Sequence, residues 1–250
     1  MKRIIIYVIC LLLMGLTCAN AATKPFHYNT SEGFNLTGTL YIPNNTSQKI
    51  PLVVLLHSIG GNKSQWGNLP NVLIQKNCAC LALDLRGHGG SVFNRAEKRC
   101  SWMYFTDRDF AKYPTDVSGA IQATLQSYKI LNHSQIILVG SDLGANTAIL
   151  AANKLNRKTP CVRSLVLISP RVLLKSLYTP YEMVKYGNHP VLIFCNKNVP
   201  KDYEDAKETK RHCEGPCTFH ALDTTGMAAT LYQNNAFVQT EIIKWIETIK

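Results

Sequence analysis

Acidic residues are scarce in this chain of 250 residues, since 16 aspartates and glutamates stand against 27 lysines and arginines, giving a formal net charge of +11. A basic balance of this size favours contact with anionic surfaces. The lysines and arginines are scattered, however, and the sequence lacks an RNA- or DNA-binding motif, which argues against a nucleic-acid partner. Internal repeats and low-complexity tracts are also missing, and the length suits one compact domain.

Long apolar runs are missing after residue 13, so no later segment is long enough to span a membrane. The N-terminus instead carries a basic pair, an apolar run over residues 4–13 and an A-x-A sequence that ends at Ala21. This order is typical of a secretory signal peptide, and the run is short compared with the roughly 20 residues of a membrane anchor. We therefore predict a signal peptide over residues 1–21, cleaved near Ala21, and a single exported domain over residues 22–250, periplasmic or secreted.

Removal of residues 1–21 leaves seven of the nine cysteines. Because seven is odd, at least one thiol is expected to stay free or to pair between chains. An exported protein meets oxidising conditions, and the Glu-Gly-Pro turn between Cys213 and Cys217 could close a local disulfide, although spacing does not establish the pairing. Zinc is a weaker interpretation, because the spacing of His212 and His220 around this pair matches no standard zinc module. We predict no metal and no cofactor.

Apolar runs alternate with helical patterns along the rest of the chain. Two strand-like runs at residues 26–30 and 34–42 predict an N-terminal hairpin. Further strands are predicted at residues 52–56, 80–85, 136–139, 165–168, 191–195 and 218–222, and helices near 64–76, 114–128, 143–155, 203–212 and 235–249. The alternation predicts an α/β fold, with a mostly parallel sheet of about eight strands covered by helices on both faces. Only residues 170–188 could form a lid, which would be minimal.

The most informative segment is residues 136–146, where an apolar strand runs into a G-x-x-x-G turn and then a helical pattern. This is the form of a nucleophile elbow, in which glycines flank the nucleophile because the turn is too tight for side chains. Asp142 occupies the position where a serine is expected. A carboxylate there is stabilised by the helix N-terminus, but it cannot perform the chemistry of a serine.

Three segments together resemble the α/β-hydrolase family, near its dienelactone hydrolases and serine esterases. Residues 55–61, Leu-Leu-His-Ser-Ile-Gly-Gly, resemble the family's H-G-x-G-G loop after the third strand. Residues 83–91 resemble its D-x-R-G-x-G-x-S turn after the fourth strand, and the elbow at residues 139–146 completes the order. The match covers nearly all of the mature chain. It implies the α/β-hydrolase fold and, for an intact site, hydrolysis of a carboxylic ester or a similar small substrate.

The resemblance also implies an oxyanion hole made of two backbone N–H groups. These would belong to Ile59 and Leu143, and backbone donors tolerate side-chain changes, although Ser58 replaces a glycine of the family's pattern. Two further nucleophiles lie nearby. Ser141 is expected to face the packed side of the turn, and Cys195 is expected to be a buried structural thiol.

The remaining triad positions implied by the resemblance are also changed. The family's acid follows the strand predicted at residues 191–195, where Asn198 is the best match and Asp202 is a displaced candidate. An amide cannot stabilise an imidazolium as a carboxylate does. The family's histidine position falls on Thr225, which has no usable base near neutral pH. Together with Asp142, all three triad positions depart from the family's pattern.

The seven histidines offer no replacement base at the expected place. His57 and His88 lie in structural turns of the family's pattern, where local hydrogen bonds are predicted. His220 lies on the last predicted strand, some five residues before Thr225. A histidine that activates water beside Asp142 would therefore need a rearranged loop.

Three functions are compatible with this pattern. We favour a catalytically degenerate α/β hydrolase that binds a small ligand or a protein partner, with the Asp142 carboxylate filling the oxyanion hole. The second is an active hydrolase of an ester-like substrate, whose acid and base come from Asp202 or Asp223 with His220. The third uses Asp142 as a nucleophile, as in haloalkane dehalogenases and epoxide hydrolases. It is disfavoured because those enzymes need a histidine and a helical cap.

Overall fold

A computed structural model describes residues 22–44, 46–157 and 159–250, so the predicted signal peptide lies outside the described residues. The strands are β1 (Ala22–Asn29), β2 (Phe34–Ile42), β3 (Ile50–Leu56), β4 (Ala79–Leu83), β5 (Phe93–Asn94), β6 (Leu131–Ser141), β7 (Val162–Ile168), β8 (Leu173–Leu174), β9 (Leu177–Tyr178), β10 (Val191–Asn196) and β11 (Cys217–Leu222). The helices are α1 (Leu69–Gln75), α2 (Asp107–Phe110), α3 (Tyr113–Ser127), α4 (Leu143–Asn156), α5 (Pro180–Tyr186), α6 (Pro200–Arg211), α7 (Ala229–Gln233) and α8 (Ala236–Ile249).

Nine of these strands form one sheet in the order β1-β2-β4-β3-β6-β7-β10-β11, with the short β5 pairing with β2. The N-terminal pair β1–β2 is antiparallel, and so is the pairing of β2 with β4. From β4 to β11 all neighbours are parallel. The structure thus confirms the predicted α/β-hydrolase fold, with its N-terminal hairpin and mainly parallel sheet.

The central strands are apolar on both faces because helices cover both sides of the sheet. Along β3, Leu52, Val54 and Leu56 pack in the core under α3 and α4, whereas Val53 and Leu55 pack in the core under α1 and α8. All seven residues of β3 are buried. Because β3 and β6 are parallel neighbours, their carboxyl ends lie side by side at one end of the sheet, and this positions the elbow.

The helix predicted near residues 64–76 is divided in the structure. A 3₁₀ turn over Lys63–Trp66 ends at Gly67, whose φ of 51° lies in the left-handed region that breaks a helix. The helix α1 then starts at Leu69 with Pro70 in its first turn, a position that proline favours. The prediction of one continuous helix was wrong for this reason.

The segment predicted as a minimal lid contains the hairpin β8–β9 and the single helix α5. Ser176 in the hairpin turn donates a 2.8 Å hydrogen bond to the Asp107 carbonyl at the start of α2. The lid segment is therefore tied to the long connection that follows β4. No helix within the described ranges combines the length and the apolar character that a bilayer crossing requires.

Candidate functional site

The turn between β6 and α4 has the geometry of a strained elbow. Asp142 lies at its tip with φ 53° and ψ −109°, a conformation that costs a non-glycine residue about 1–3 kcal/mol. The Asp142 N–H donates to the Ile168 carbonyl at 2.8 Å, so the tip is held against β7. A Cβ on Gly140 would collide with the Gly144 carbonyl, and one on Gly144 would collide with the Leu56 carbonyl. Both glycines are thus required by close backbone approach.

The Asp142 side chain is 7 % exposed and points toward the loop after β3. Its Oδ2 accepts a hydrogen bond from the Ile59 N–H at 3.2 Å. Burial raises the pKa of Asp142, and hydrogen bonds from the backbone N–H groups of Ile59 and Leu143, together with the Arg171 charge, oppose that rise. The carboxylate therefore hydrogen-bonds to Ile59, one of the two donors that the family resemblance implies for the oxyanion hole.

The loop after β3 is held in place by two hydrogen bonds of Ser58, the residue before Ile59. The Ser58 N–H donates to Gln65 Oε1 at 2.9 Å, and the Ser58 hydroxyl donates to the Ser141 hydroxyl at 2.9 Å. Both hydroxyls are buried. Ser141 consequently faces the packed side of the elbow and ties it to this loop.

His57 and His88 lie beneath this loop in fixed local hydrogen bonds. The His57 Nδ1–H donates to the Ser58 carbonyl at 2.8 Å, and its Nε2 accepts from the Leu85 N–H at 2.9 Å. Burial lowers the pKa of His57 to about 4 and also lowers the pKa of His88. The His88 ring stacks on Trp102 with centroids 5.3 Å apart. Both rings are therefore neutral structural groups.

Asn198 lies in the loop after β10 and hydrogen-bonds to the loop after β11. The Asn198 side chain donates to Oδ1 of the exposed Asp223 at 2.7 Å, and Lys197 pairs with Oδ2 of the same residue at 3.0 Å. The neighbouring Asn196 is buried, and its amide donates to the Thr224 and Gly226 carbonyls at 2.9 and 2.6 Å. These amides fix the loop that follows β11.

Asp202, the displaced acid candidate, is fully buried on α6. Its Oδ2 accepts from the Asn196 N–H at 2.7 Å and from the Ser169 hydroxyl at 3.2 Å, and its Oδ1 has no partner within the described chain. Burial raises the pKa of Asp202, and the Asp142 charge adds to that rise. Asp202 therefore clamps loops together near Asp142, and its hydrogen bonds go to backbone and serine groups.

Neither Thr225 nor His220 is among the described residues that hydrogen-bond to the Asp142 carboxylate. Thr225 is exposed in the loop after β11. His220 stacks on Phe194 with centroids 5.2 Å apart and meets Phe237 edge to face, so it packs under α8. Within the described ranges, no histidine hydrogen-bonds to Asp142 or shifts its pKa. The catalytic roles of Asp142, Asn198 and Thr225 stay predictions.

Sequence reasoning missed a group of residues that hold the site's loops. Ser169 and Ala228 share the positive φ of Asp142, at 51° and 53°, and the Ala228 N–H donates to the Ser169 hydroxyl at 2.8 Å. Asn146 accepts from the Arg171 N–H and donates to its carbonyl, each at 2.9 Å. The only signal in the sequence was the pair Ser169-Pro170 directly after β7. Positive φ at serine or alanine has no sequence pattern of its own.

Cysteines do not add a reactive group to this site. Cys195 is buried at the end of β10, and burial raises the pKa of its thiol to about 12. Cys213 and Cys217 are free thiols in the structure, and the Cys213 thiol donates to the Thr209 carbonyl at 3.5 Å. Among the described residues, no three histidine, cysteine or acidic side chains are arranged to hold a metal ion.

The buried Asp142 carboxyl predicts a pH-dependent effect of the substitution Asp142→Asn. Because its folded pKa is raised above the ordinary 3.8, the unfolded carboxyl ionises first as pH increases, and folding stability is lost over that range. The Asp142→Asn protein should therefore melt at a higher temperature than the unmodified protein at pH 7. The difference should shrink toward zero near pH 3. A gain that is equal at both pH values would contradict this assignment, as measured by thermal melts.

The family model described as the alpha/beta hydrolase fold matches residues 51–208. Because this segment is more than half of the chain, the protein belongs to the α/β-hydrolase fold family. The match contains the loop after β3, the elbow and the loop after β10.

Solved structures with the same fold include several esterases and dienelactone hydrolases. An acetyl xylan esterase from Paenibacillus sp. R4 superposes with a TM-score of 0.74 at 17% identity, over 95% of this chain and 87% of that one. Est1E from Butyrivibrio proteoclasticus, bound to ferulic acid, gives 0.66 at 18% identity, over 88% and 96%. A dienelactone hydrolase from Anabaena variabilis gives 0.63 at 16% identity, over 90% and 96%. These similarities establish the fold.

One curated relative also matches part of the chain. Protein phosphatase methylesterase 1 from Candida glabrata is 29% identical over 110 residues, which are 43% of this chain and 28% of that protein. The chain thus matches less than a third of the relative's length. The similarity is consistent with an esterase-like member of the fold family.

Proposed function

We propose that this protein is a catalytically degenerate α/β hydrolase that keeps its cleft for binding a small ligand or a protein partner. The observation that carries the proposal is the 3.2 Å hydrogen bond from the Ile59 N–H to Asp142 Oδ2. An oxyanion hole works because its donors are aimed at charge that develops in the transition state. A resident carboxylate uses those donors, and its charge repels an anionic tetrahedral intermediate.

The surroundings of Asp142 support the loss of general base catalysis. A general base must lie within hydrogen-bond reach, about 2.6–3.2 Å, of the proton that it removes. Asp142 accepts from the Ile59 N–H, Thr225 is exposed, and His220 packs between Phe194 and Phe237. A water molecule beside Asp142 would therefore lack an activating imidazole.

The ester-hydrolysis assay tests this proposal on the purified protein. Short-chain p-nitrophenyl esters should be hydrolysed by the unmodified protein at the buffer rate, because no base activates the nucleophile. Asp142→Ala should leave that rate unchanged. Turnover that appears in the double variant Asp142→Ser, Thr225→His but in neither single variant would support the loss of the triad.

A matched control separates the elbow from a general charge effect. Asp107→Ala removes an exposed carboxylate on α2, so it changes the net charge as Asp142→Ala does. Turnover in the unmodified protein that disappears in Asp142→Ala and persists in Asp107→Ala would overturn the proposal and identify a working enzyme.

Hydrolysis of a small carboxylic ester is the second candidate function. It is favoured by the superposition on acetyl xylan esterase and by the match to a methylesterase. In that case the Asp142 carboxylate would attack the ester carbonyl, expel the alcohol and form a mixed acid anhydride that water then hydrolyses to the two acids. Mass spectrometry of the quenched reaction would find the acyl group on Asp142. Its absence during measurable turnover would instead require a displaced acid and base such as Asp202 and His220.

Export is part of the same proposal. A basic pair, an apolar run and an A-x-A sequence precede Ala22, which is the order of a cleaved secretory signal. The mature protein would then be one domain over residues 22–250, located in the periplasm or outside the cell.

A further inference from the structure

A groove of about 650 Å³ lies at the opposite end of the sheet from the elbow. It is lined by residues at the amino ends of three neighbouring strands, Lys49 before β3, His133 and Ser134 near the start of β6, and Cys161 before β7. The elbow lies at the other end of β6, roughly 20 Å or more away at about 3.3 Å per strand residue. The groove is thus separate from the site around Asp142.

The charge of the groove is of one sign. Lys49, Lys154 and Arg157 line it, and no aspartate or glutamate does. Over the described part of the chain, none of these three side chains forms a salt bridge or a hydrogen bond. Many other lysines and arginines of this protein are paired with acids. Three unpaired cations around one concave surface produce a positive potential that attracts an anion.

A fourth cation, Arg163, is not part of the groove's lining but hydrogen-bonds to one lining residue. Arg163 donates from Nε to the Ser134 carbonyl at 2.8 Å, which holds its guanidinium beside the groove lining. A guanidinium presents five donors in a rigid fork, so most of them remain free for a ligand. The fork geometry matches phosphate oxygens better than a single ammonium does.

Helix polarity does not account for this arrangement. Lys154 lies in the last turn of α4 and Arg157 is its C-cap, where the helix dipole stabilises a cation. Lys49, however, lies on the connection before β3 and Arg163 lies on β7. The cations that line the groove therefore come from two separate parts of the chain, the connection before β3 and the end of α4.

The floor of the groove is apolar, with Leu125 from α3 and Leu155 from α4. Its volume exceeds that of a simple anion and lies within the roughly 300–1,000 Å³ of small-molecule sites. A phosphate monoester carries about −1.5 to −2 charges at pH 7 and three acceptor oxygens. A ligand with a phosphate head and an apolar body would satisfy both the cations and the floor.

We propose that this groove binds an organic phosphate monoester, with the phosphate held by Lys49, Lys154 and Arg157 and the apolar body lying along Leu125 and Leu155. The source is either a soluble phosphate monoester or the monoester headgroup of phosphatidic acid, since both present the same chemistry. This site is independent of the function proposed for the elbow.

Isothermal titration calorimetry with hexyl phosphate tests the proposal on the unmodified protein. The double substitution Lys154→Gln, Arg157→Gln should weaken binding about 10-fold or more, because two charge-assisted contacts are lost. Lys98→Gln, Arg99→Gln is the matched control, since it removes one exposed lysine and one exposed arginine outside the groove. It should leave the affinity within about twofold of the unmodified value. Inorganic phosphate should bind more weakly than hexyl phosphate.

Three outcomes would overturn the proposal: no binding of hexyl phosphate, equal losses in the groove and control variants, or equal affinity for inorganic and hexyl phosphate. Sedimentation with phosphatidic acid vesicles then distinguishes the two sources. Binding to vesicles that is lost in the groove variant supports a lipid headgroup. Binding of hexyl phosphate without vesicle binding supports a soluble ester. Melting temperatures of both variants verify that they are folded.

Discussion

Gly144→Ala is expected to destabilise the protein by at least about 3 kcal/mol, the upper range for overpacked sites. A Cβ at this position would collide with the Leu56 carbonyl and would lie 2.7 Å from the His57 carbonyl oxygen. Both obstacles are backbone atoms of β3 and its following loop, so no side-chain rotation can relieve them. Chemical denaturation should show the loss as a lower midpoint of unfolding.

This prediction opposes the one from helix propensity. Gly144 lies inside α4, where alanine would otherwise stabilise a helix by about 1 kcal/mol relative to glycine. Gly67→Ala provides the control, because a Cβ there has nothing within 4 Å although its φ is 51°. It should lose only the roughly 1–2 kcal/mol of the left-handed conformation. A stable Gly144→Ala protein would contradict the close approach of α4 to β3.

Asp116→Asn is expected to reduce the free energy of unfolding by about 3 kcal/mol or more, as for a buried ion pair that loses one partner. Arg86 follows β4 and Asp116 begins α3, and their side chains are only 6% and 5% exposed. Two parallel hydrogen bonds of 2.6 and 2.7 Å join them. The substitution removes the closer of the two carboxylates that compensate the buried guanidinium, since the other, Glu32, lies 3.5 Å from Nη1 and is 46% exposed. The measurement is the midpoint of urea unfolding.

An exposed ion pair is the control for that effect. Lys244 and Glu241 pair on α8 at 2.8 Å, with the lysine side chain 66% exposed. Glu241→Gln should change the stability by no more than about 1 kcal/mol, because water screens the charges. Similar losses for both substitutions would show that burial does not strengthen the Arg86–Asp116 contribution.

Most of the central sheet follows from the sequence because its strands are short apolar runs separated by amphipathic helices. The pattern predicted the N-terminal hairpin and the helices α3, α4 and α8 within a few residues. It did not predict β8, β9 and α5, which are short elements stabilised by contacts with α4 and α2. The pattern also predicted one helix where the structure has a 3₁₀ turn followed by α1, because the hydrophobic pattern does not show that Gly67 adopts a positive φ.

The candidate site also has one part that the sequence predicts and another that only the tertiary structure shows. The spacing of Gly140 and Gly144 placed Asp142 at an elbow, since a tight turn constrains residues that are close in sequence. The contact between Ile59 and Asp142 joins residues 83 positions apart, and their distance depends on how β3 and β6 pair. Likewise, the Asp202 contacts to Ser169 and Asn196 arise where α6 meets the loop after β7 and the end of β10.

The sequence by itself determined the fold family and the unusual residue at the elbow, because hydrophobic periodicity and glycine spacing act locally. Only the tertiary structure decided that the Asp142 carboxylate contacts the Ile59 N–H, and that Lys49, Lys154 and Arg157 surround one groove. Parallel strands bring distant segments to the same edge of a sheet, and the chemistry at that edge depends on sheet order and register. A single sequence carries no local signal for the order of the strands or for their register.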